Sequence, residues 1–498
     1  MNFKANSNPL AKELKKLKLD ELLLLLANQS KDLFQNNTAI KFLELTRRIG
    51  TLSGKMFQPL TAWNLADLSY LAILNSNDYR SKSPYENDIY ILNNLLARIS
   101  NEDAPKKSKD VEKKDIKANL LFGLSQKQFS YQDTFKTIYY NFLRYYTLLN
   151  EMPKLLPQYK LPKDDLLEIA GFDIDDFSRL LLAGISFIQA PESSSISFKV
   201  PDDLQSLAPI LTTENLQKCL NFFIGDYSYY RNVPIKPNVN PLYFRPIVRT
   251  STAKIIISNA FIWARKFYEG IYWIIRNKYQ QIGSQDFINH FGEYYENYIE
   301  QLLGYYLKSY QYTKIKRFAD KKSADWRIET SNYLLIIEQK SCLMNIELKE
   351  EFPSLEKLDE FLARNFKKAY EQINTTITGI SKNKKPIIKL ILHFEKLYFA
   401  EAIIKERVNK MCEGTIEDLS YYFFIDTEEF ERLMQCLSED EASFDTIIKT
   451  KCEYEEKGPP PGTGLAFQDI IRRYSKFNIN FLLKYKYVFD GLFPNLEE

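Results

Sequence analysis

Residues Ser323-Ala-Asp-Trp-Arg-Ile-Glu-Thr-Ser-Asn-Tyr-Leu-Leu-Ile-Ile-Glu-Gln-Lys-Ser341 decide how the chain is read. Trp326 to Ile328 is strand-like, Glu329 to Asn332 is polar turn material, and Tyr333 to Ile337 is an apolar run of strand length. An antiparallel hairpin turning at Ser331 and Asn332 puts Asp325 opposite Glu338. Side chains alternate along a strand, so Glu338 and Lys340 share a face. Two carboxylates and one ammonium then meet at a single point. Carboxylates so placed repel unless a cation separates them. A hard divalent ion with oxygen ligands, such as Mg²⁺, suits them. The lysine is then placed to orient or deprotonate a water, or to steady a developing phosphate charge.

The stretch resembles the PD-(D/E)xK nuclease superfamily, the restriction-endonuclease-like proteins. The matching residues are Asp325 and Glu338-Gln339-Lys340; Ala324 stands where the family pattern has proline. The resemblance covers residues 283–430. It implies an α/β nuclease core, a mixed central sheet flanked by helices, and an Mg²⁺-dependent endonuclease that hydrolyses phosphodiester bonds of DNA or RNA, with Mn²⁺ as a substitute. Asp325 and Glu338 become metal ligands and Lys340 the catalytic lysine. Members often offer a further glutamate from the helix before the motif strands. Glu296, in the expected helix Phe287 to Tyr310, fits best, with Glu293 and Glu300 on nearly the same face. Members also often carry a basic residue or glutamine on the next helix, here Ser354 to Ile377, facing substrate; Lys368 and Gln372 match. The basic run Lys314, Lys316, Arg317 just before the motif is placed to hold backbone phosphates. Nucleases with large helical attachments resemble anti-phage defence effectors. The competing expectation is a catalytically inactive nuclease fold that binds nucleic acid or serves assembly.

The wider composition is compatible with this. The chain has 498 residues, 45% hydrophobic and 26% charged, enough for two or three globular domains. The net charge of +3 hides an uneven distribution. Residues 1–150 hold 22 basic and 15 acidic side chains, residues 301–400 hold 18 and 12, and residues 401–450 hold 5 and 13. A basic neighbourhood around an acidic motif suits a polyanionic substrate. Five cysteines without a CxxC pair, and only His290 and His393, give no readable zinc site. No signal-peptide pattern opens the chain, and the run Leu22 to Leu26 is too short to span a bilayer. The expectation is a cytoplasmic protein whose partner is nucleic acid and not membrane, with a protein partner or a second copy of the chain besides.

The rest of the chain reads mostly as helix. Residues 1–235 form a helical N-terminal region, regulatory or partner-binding, with helices over 10–50, 61–75, 84–99, 131–150 and 164–189. Asn101 to Lys117 and Pro191 to Asp203 read as loops. Tyr139, Tyr140, Phe142, Tyr145 and Tyr146 lie at helical spacing and read as core packing. Residues 236–282 are a joint and connecting helix: four prolines between Asn232 and Pro246, then a long helix Ile255 to Tyr279. Tyr312 to Phe318, Pro386 to His393 and Tyr421 to Ile425 read as strands, and His393 as a core histidine. Residues 431–498 are a helical extension with a Pro/Gly loop, its tail helix running Phe467 to Phe493. Within that loop, Gly458-Pro-Pro-Pro-Gly-Thr-Gly-Leu-Ala466 imitates a phosphate-binding loop. It lacks the Lys and Ser/Thr that reach phosphate and Mg²⁺, so nucleotide binding is rejected.

Overall fold

A computed structural model describes residues 9–49, 52–80, 82–107, 126–128, 131–189, 209–233, 239–316, 322–341, 343–349, 354–380, 384–396, 401–412, 422–456, 466–474 and 478–489. The protein is a mixed α/β structure with three sheets among these residues. The chain opens with α1 (Pro9–Leu14) and α2 (Leu19–Gln35), then the antiparallel hairpin β1 (Ile40–Ile49) and β2 (Leu52–Thr61). Next come α3 (Ala62–Asn75), α4 (Glu86–Lys107), α5 (Phe135–Tyr146), α6 (Pro162–Ala170), α7 (Ile174–Gln189) and α8 (Thr213–Leu220). A small sheet follows, built from β3 (Ile224–Asp226), β4 (Ile247–Arg249) and β5 (Ile255–Ile257), with α9 (Tyr227–Asn232) between the first two strands. The long helices α10 (Ala260–Gln281) and α11 (Asp286–Tyr306) lead into the main sheet.

That sheet has the order β10-β9-β8-β7-β6, from β6 (Tyr312–Lys314), β7 (Trp326–Glu329), β8 (Leu334–Lys340), β9 (Ile387–His393) and β10 (Tyr422–Asp426). The first three strands are antiparallel neighbours, whereas β8, β9 and β10 run parallel. The crossover from β8 to β9 contains α12 (Leu355–Leu362), a π-helical turn Ala363–Lys367, and α13 (Lys368–Gly379). α14 (Glu401–Met411) precedes β10. After β10 come α15 (Thr427–Glu439), α16 (Glu441–Glu456), α17 (Phe467–Ile471) and α18 (Asn480–Leu483). No helix among the described residues is long and apolar enough to cross a membrane.

Strand β8 is central because Leu334 to Ile337 is apolar at every position, so it can be covered on both faces. Alternation divides the covering. Leu335 and Ile337 join Trp326, Ile328, Leu390, Leu392, Phe423 and Ile425 in the larger core, which runs from Leu10 to Leu482. Leu334 and Ile336 join Ile391, Tyr422 and Phe424 in a smaller core under α12 and α13. Each of these large side chains contributes about 1.5–3 kcal/mol by leaving water. The aromatic cluster of α5 is core, as expected: Tyr140, Phe142, Tyr145 and Tyr146 are buried, and Phe142 stacks on Phe267 of α10 at 4.4 Å.

Polar links bind the helical region to the sheet. Arg144 of α5 donates Nε and Nη2 to the Glu431 carboxylate of α15 at 2.7 and 2.6 Å, and Tyr298 of α11 donates its hydroxyl to the same group. Helix α5 begins at a capping box in which the Thr134 hydroxyl accepts the Thr137 N–H at 3.3 Å. Thr134→Ala should cost about 1 kcal/mol in urea denaturation, with the denaturant slope unchanged.

Several expectations need correction. Residues 10–50 are not helical throughout: after α2 the chain turns at Asn37, in left-handed backbone with φ 51°, and enters β1. Ile40, Thr46 and Ile49 favour strand there, and Gly50 favours a reversal. Helix α4 continues through Lys107, into the segment read as a loop; residues 108–117 and the loop 191–203 lie outside the described residues. Ile255–Ile257 is strand β5, and α10 begins only after Asn259, whose side chain accepts the N–H groups of Phe261 and Ile262. Strand β6 ends at Lys314. The tail consists of two short helices and a 3₁₀ turn at Lys486–Phe489, and the Pro/Gly loop 457–465 lies outside the described residues.

Candidate active site

The hairpin of β7 and β8 pairs in the expected register, Trp326 with Ile337 and Glu329 with Leu334. Beyond β7 the ladder continues, because the Asp325 N–H donates to the Ile337 carbonyl at 3.0 Å. Asp325 therefore stands opposite Glu338. The parallel neighbour β9 pairs Lys340 with His393. The acid pair faces the smaller core, beneath α13.

Each side chain is held by its surroundings. The Asp325 carboxylate accepts the Gln339 N–H at 2.8 Å. The Lys340 ammonium donates to Glu338 Oε1 at 2.6 Å and to Gln372 Oε1 at 3.1 Å. Gln372 in turn donates its amide to the Ser323 carbonyl at 3.2 Å. Thus α13 fixes the lysine and the strand entry through one glutamine. On the other face of the hairpin, the Trp326 indole donates to Gln339 Oε1 at 3.0 Å. The Ala324 N–H donates to the Thr376 hydroxyl at 2.7 Å. Thr376 was not singled out from sequence, and Gln339 and Ser323 entered that reading only as members of the motif stretch, without a role.

The electrostatics are those of two carboxylates short of positive charge. Glu338 is 2% exposed, and its Oε2 is buried with no partner other than the neighbouring Asp325 carboxyl. Burial, together with the neighbouring Asp325 charge, pushes Glu338 up to about 9 against the opposing pull of Lys340. Burial also raises Asp325, partly offset by the Gln339 N–H and Lys340. A buried carboxyl oxygen that no cation or N–H reaches, adjoining a second carboxyl, is a fit for a hard divalent cation, which would satisfy it and relieve the repulsion.

The other expected site residues are placed differently. Glu296 is ion-paired with Lys314, which also lies 5.8 Å over the Trp326 ring. The Glu296 charge is close enough to raise Asp325, but no group of three or more His, Cys, Asp or Glu converges among the described residues. Glu293 accepts the Tyr159 hydroxyl at 2.7 Å, and His290 stacks on Tyr159 at 4.0 Å, away from the acid pair. Lys316 and Lys368 are exposed; Lys368 lies one turn before Gln372. Arg317 lies outside the described residues. His393 is buried, and burial holds its ring below the usual histidine range, so it is a neutral core residue whose Nδ1 meets the Glu395 carbonyl at 2.6 Å. Comparison of the chain with protein families, with curated proteins and with solved structures returns no match in any of the three.

Proposed function

We propose that the chain is a metal-dependent nuclease that hydrolyses phosphodiester bonds of DNA or RNA, with a PD-(D/E)xK-like core at the main sheet. The observation that carries this reading is the adjoining pair Asp325 and Glu338, the latter buried with one oxygen that no cation or N–H reaches, beside a lysine held by two partners. Structural ion networks seldom leave a buried carboxylate oxygen without a partner, because that costs about 1–3 kcal/mol.

In this reading Asp325 and Glu338 hold Mg²⁺. The ion, when bound, lowers the pKa of a coordinated water and neutralises charge on the scissile phosphate. Lys340 lies at the edge of the pair, where its ammonium can orient the attacking water or offset charge building on the phosphate. Gln372 keeps that ammonium in place and the β8 backbone keeps Asp325 in place, so little reorganisation is needed at the moment of reaction. Lys314, half-exposed at the sheet edge, suits a phosphate flanking the scissile one.

The test is a digestion panel of plasmid, linear and single-stranded DNA and structured RNA, with Mg²⁺, with Mn²⁺, and with EDTA. Cleavage of at least one substrate that EDTA stops is the expected result. No metal-dependent cleavage of any of them, with nucleic acid still bound, would turn the reading to an inactive binding protein.

A further inference from the structure

A second polar site lies on the larger-core side of the main sheet. A small, partly open cavity of about 70 Å³ is lined by α5, α10 and the chain just beyond β9 and β10. In α/β sheets, the crevice past the carboxyl ends of parallel strands is where small ligands bind. The walls are charged, and the two signs are not equally engaged.

The carboxylates are already engaged by the protein. Asp133 accepts the Tyr268 hydroxyl at 2.8 Å, Glu269 the Lys266 ammonium at 2.6 Å, and Glu428 the Arg432 guanidinium at 3.0 Å. Asp426 caps α15 by accepting the Glu429 N–H at 2.8 Å, and Glu395 is ion-paired with Lys349. Of the wall cations, Lys349 is paired with Glu395 and Arg144 with Glu431, but Arg265 is not matched in this way. The Arg265 guanidinium makes one contact, Nη2 to Glu269 Oε2 at 3.4 Å, and its Nε is buried without a partner. The Tyr145 hydroxyl has no hydrogen-bond partner among the described residues. Burial pushes Glu269 and Glu428 upward, yet the surrounding cations hold both down to about 2.

We propose that this cavity binds a phosphoryl group, either free orthophosphate or the phosphate of a mononucleotide, through Arg265 and Tyr145. A guanidinium meets phosphate oxygens in parallel pairs, and a phenol adds one directed donor. Lys349 and Lys396, also on the wall, contribute charge to the same space. The position has a mechanical consequence. Phe394 lines the cavity and donates its N–H to the Lys340 carbonyl at 2.9 Å, so an occupant would adjoin the strand end that carries the lysine of the acid site.

Binding is tested on the full chain by titration calorimetry in EDTA, so that no metal ion is present to draw the probe to the acid pair. Orthophosphate and adenosine monophosphate are the probes. One saturable site is expected, weakened about tenfold or more by Tyr145→Phe and by Arg265→Gln. Tighter binding of the nucleotide than of orthophosphate assigns the site to a mononucleotide; equal binding assigns it to free phosphate. Absence of saturable binding for both probes, or unchanged affinity in Tyr145→Phe, overturns the proposal. Tyr145→Phe removes one oxygen from a packed ring, and its thermal transition, compared with wild type, verifies folding. Neither arm depends on whether the acid pair cleaves anything.

Discussion

Asp325→Asn and Lys340→Ala should each lower metal-dependent cleavage by roughly 10³-fold or more, while the protein stays folded. The asparagine keeps the shape of the side chain and an oxygen to accept the Gln339 N–H, and it removes only the charge. In Lys340→Ala the ammonium contacts to Glu338 and Gln372 are lost, but the strand ladder to β9 is backbone and survives. Single-turnover cleavage, read beside thermal denaturation, separates lost chemistry from lost structure. Undiminished cleavage in both variants would remove the acid pair as the active site. A loss of activity that tracks a loss of the folded state would leave the chemistry unassigned to these groups.

The second large effect concerns stability against pH. Glu338 titrates near 9 in the folded protein, against an ordinary value of 4.5. A carboxyl raised in this way binds its proton more tightly when folded. Its contribution to stability is complete below about pH 4.5 and is lost as pH rises through 9. Between pH 4.5 and 8 the loss amounts to roughly 5 kcal/mol as an upper figure, from about 1.4 kcal/mol for each unit. Glu338→Gln has no proton to lose. In EDTA at pH 8 the variant should therefore melt higher than wild type, with the difference shrinking toward pH 5. Adding Mg²⁺ at pH 8 should recover the wild-type deficit and leave Glu338→Gln unmoved. A wild-type melting curve whose pH dependence matches that of Glu338→Gln would show that the pair carries no such strain.

How much of this was legible in the sequence varies with the kind of signal. The β7–β8 hairpin could be read because Leu334 to Ile337 is uniformly apolar, the turn is polar, and a period of two fixes which residues oppose one another. The β1–β2 hairpin was missed although Asn36-Asn37 offered a turn signal, because apolar residues resume directly after it at Ile40, Phe42, Leu43 and Leu45. Strands β3, β4 and β5 are three residues each, too short for alternation to register. Glu296 shows another boundary. A helical face can be read from spacing, but nothing in that spacing says that Lys314 on the neighbouring strand will pair with it. Likewise Gln372 was named as a residue facing substrate, but its hydrogen bond from Lys340, a contact set by how α13 crosses β8, could not be read from spacing.

One feature of the fold bears on how this protein tolerates change. The apolar side chains under the main sheet, Trp326, Ile337 and Leu390 among them, belong to the same continuous core as Leu22 of α2 and Phe267 of α10. Arg144, Glu431 and Tyr298 join the two parts again by polar bonds. The sheet cannot be cut away without exposing half of its interior to water. The helical region is thus a structural parent of the acid site, not a detachable accessory. Substitutions around Phe142 or Phe267 should yield temperature-sensitive alleles whose defect shows at an acid pair they never touch, and an exchange of the sheet between chains would have to carry α5, α10 and α11 with it.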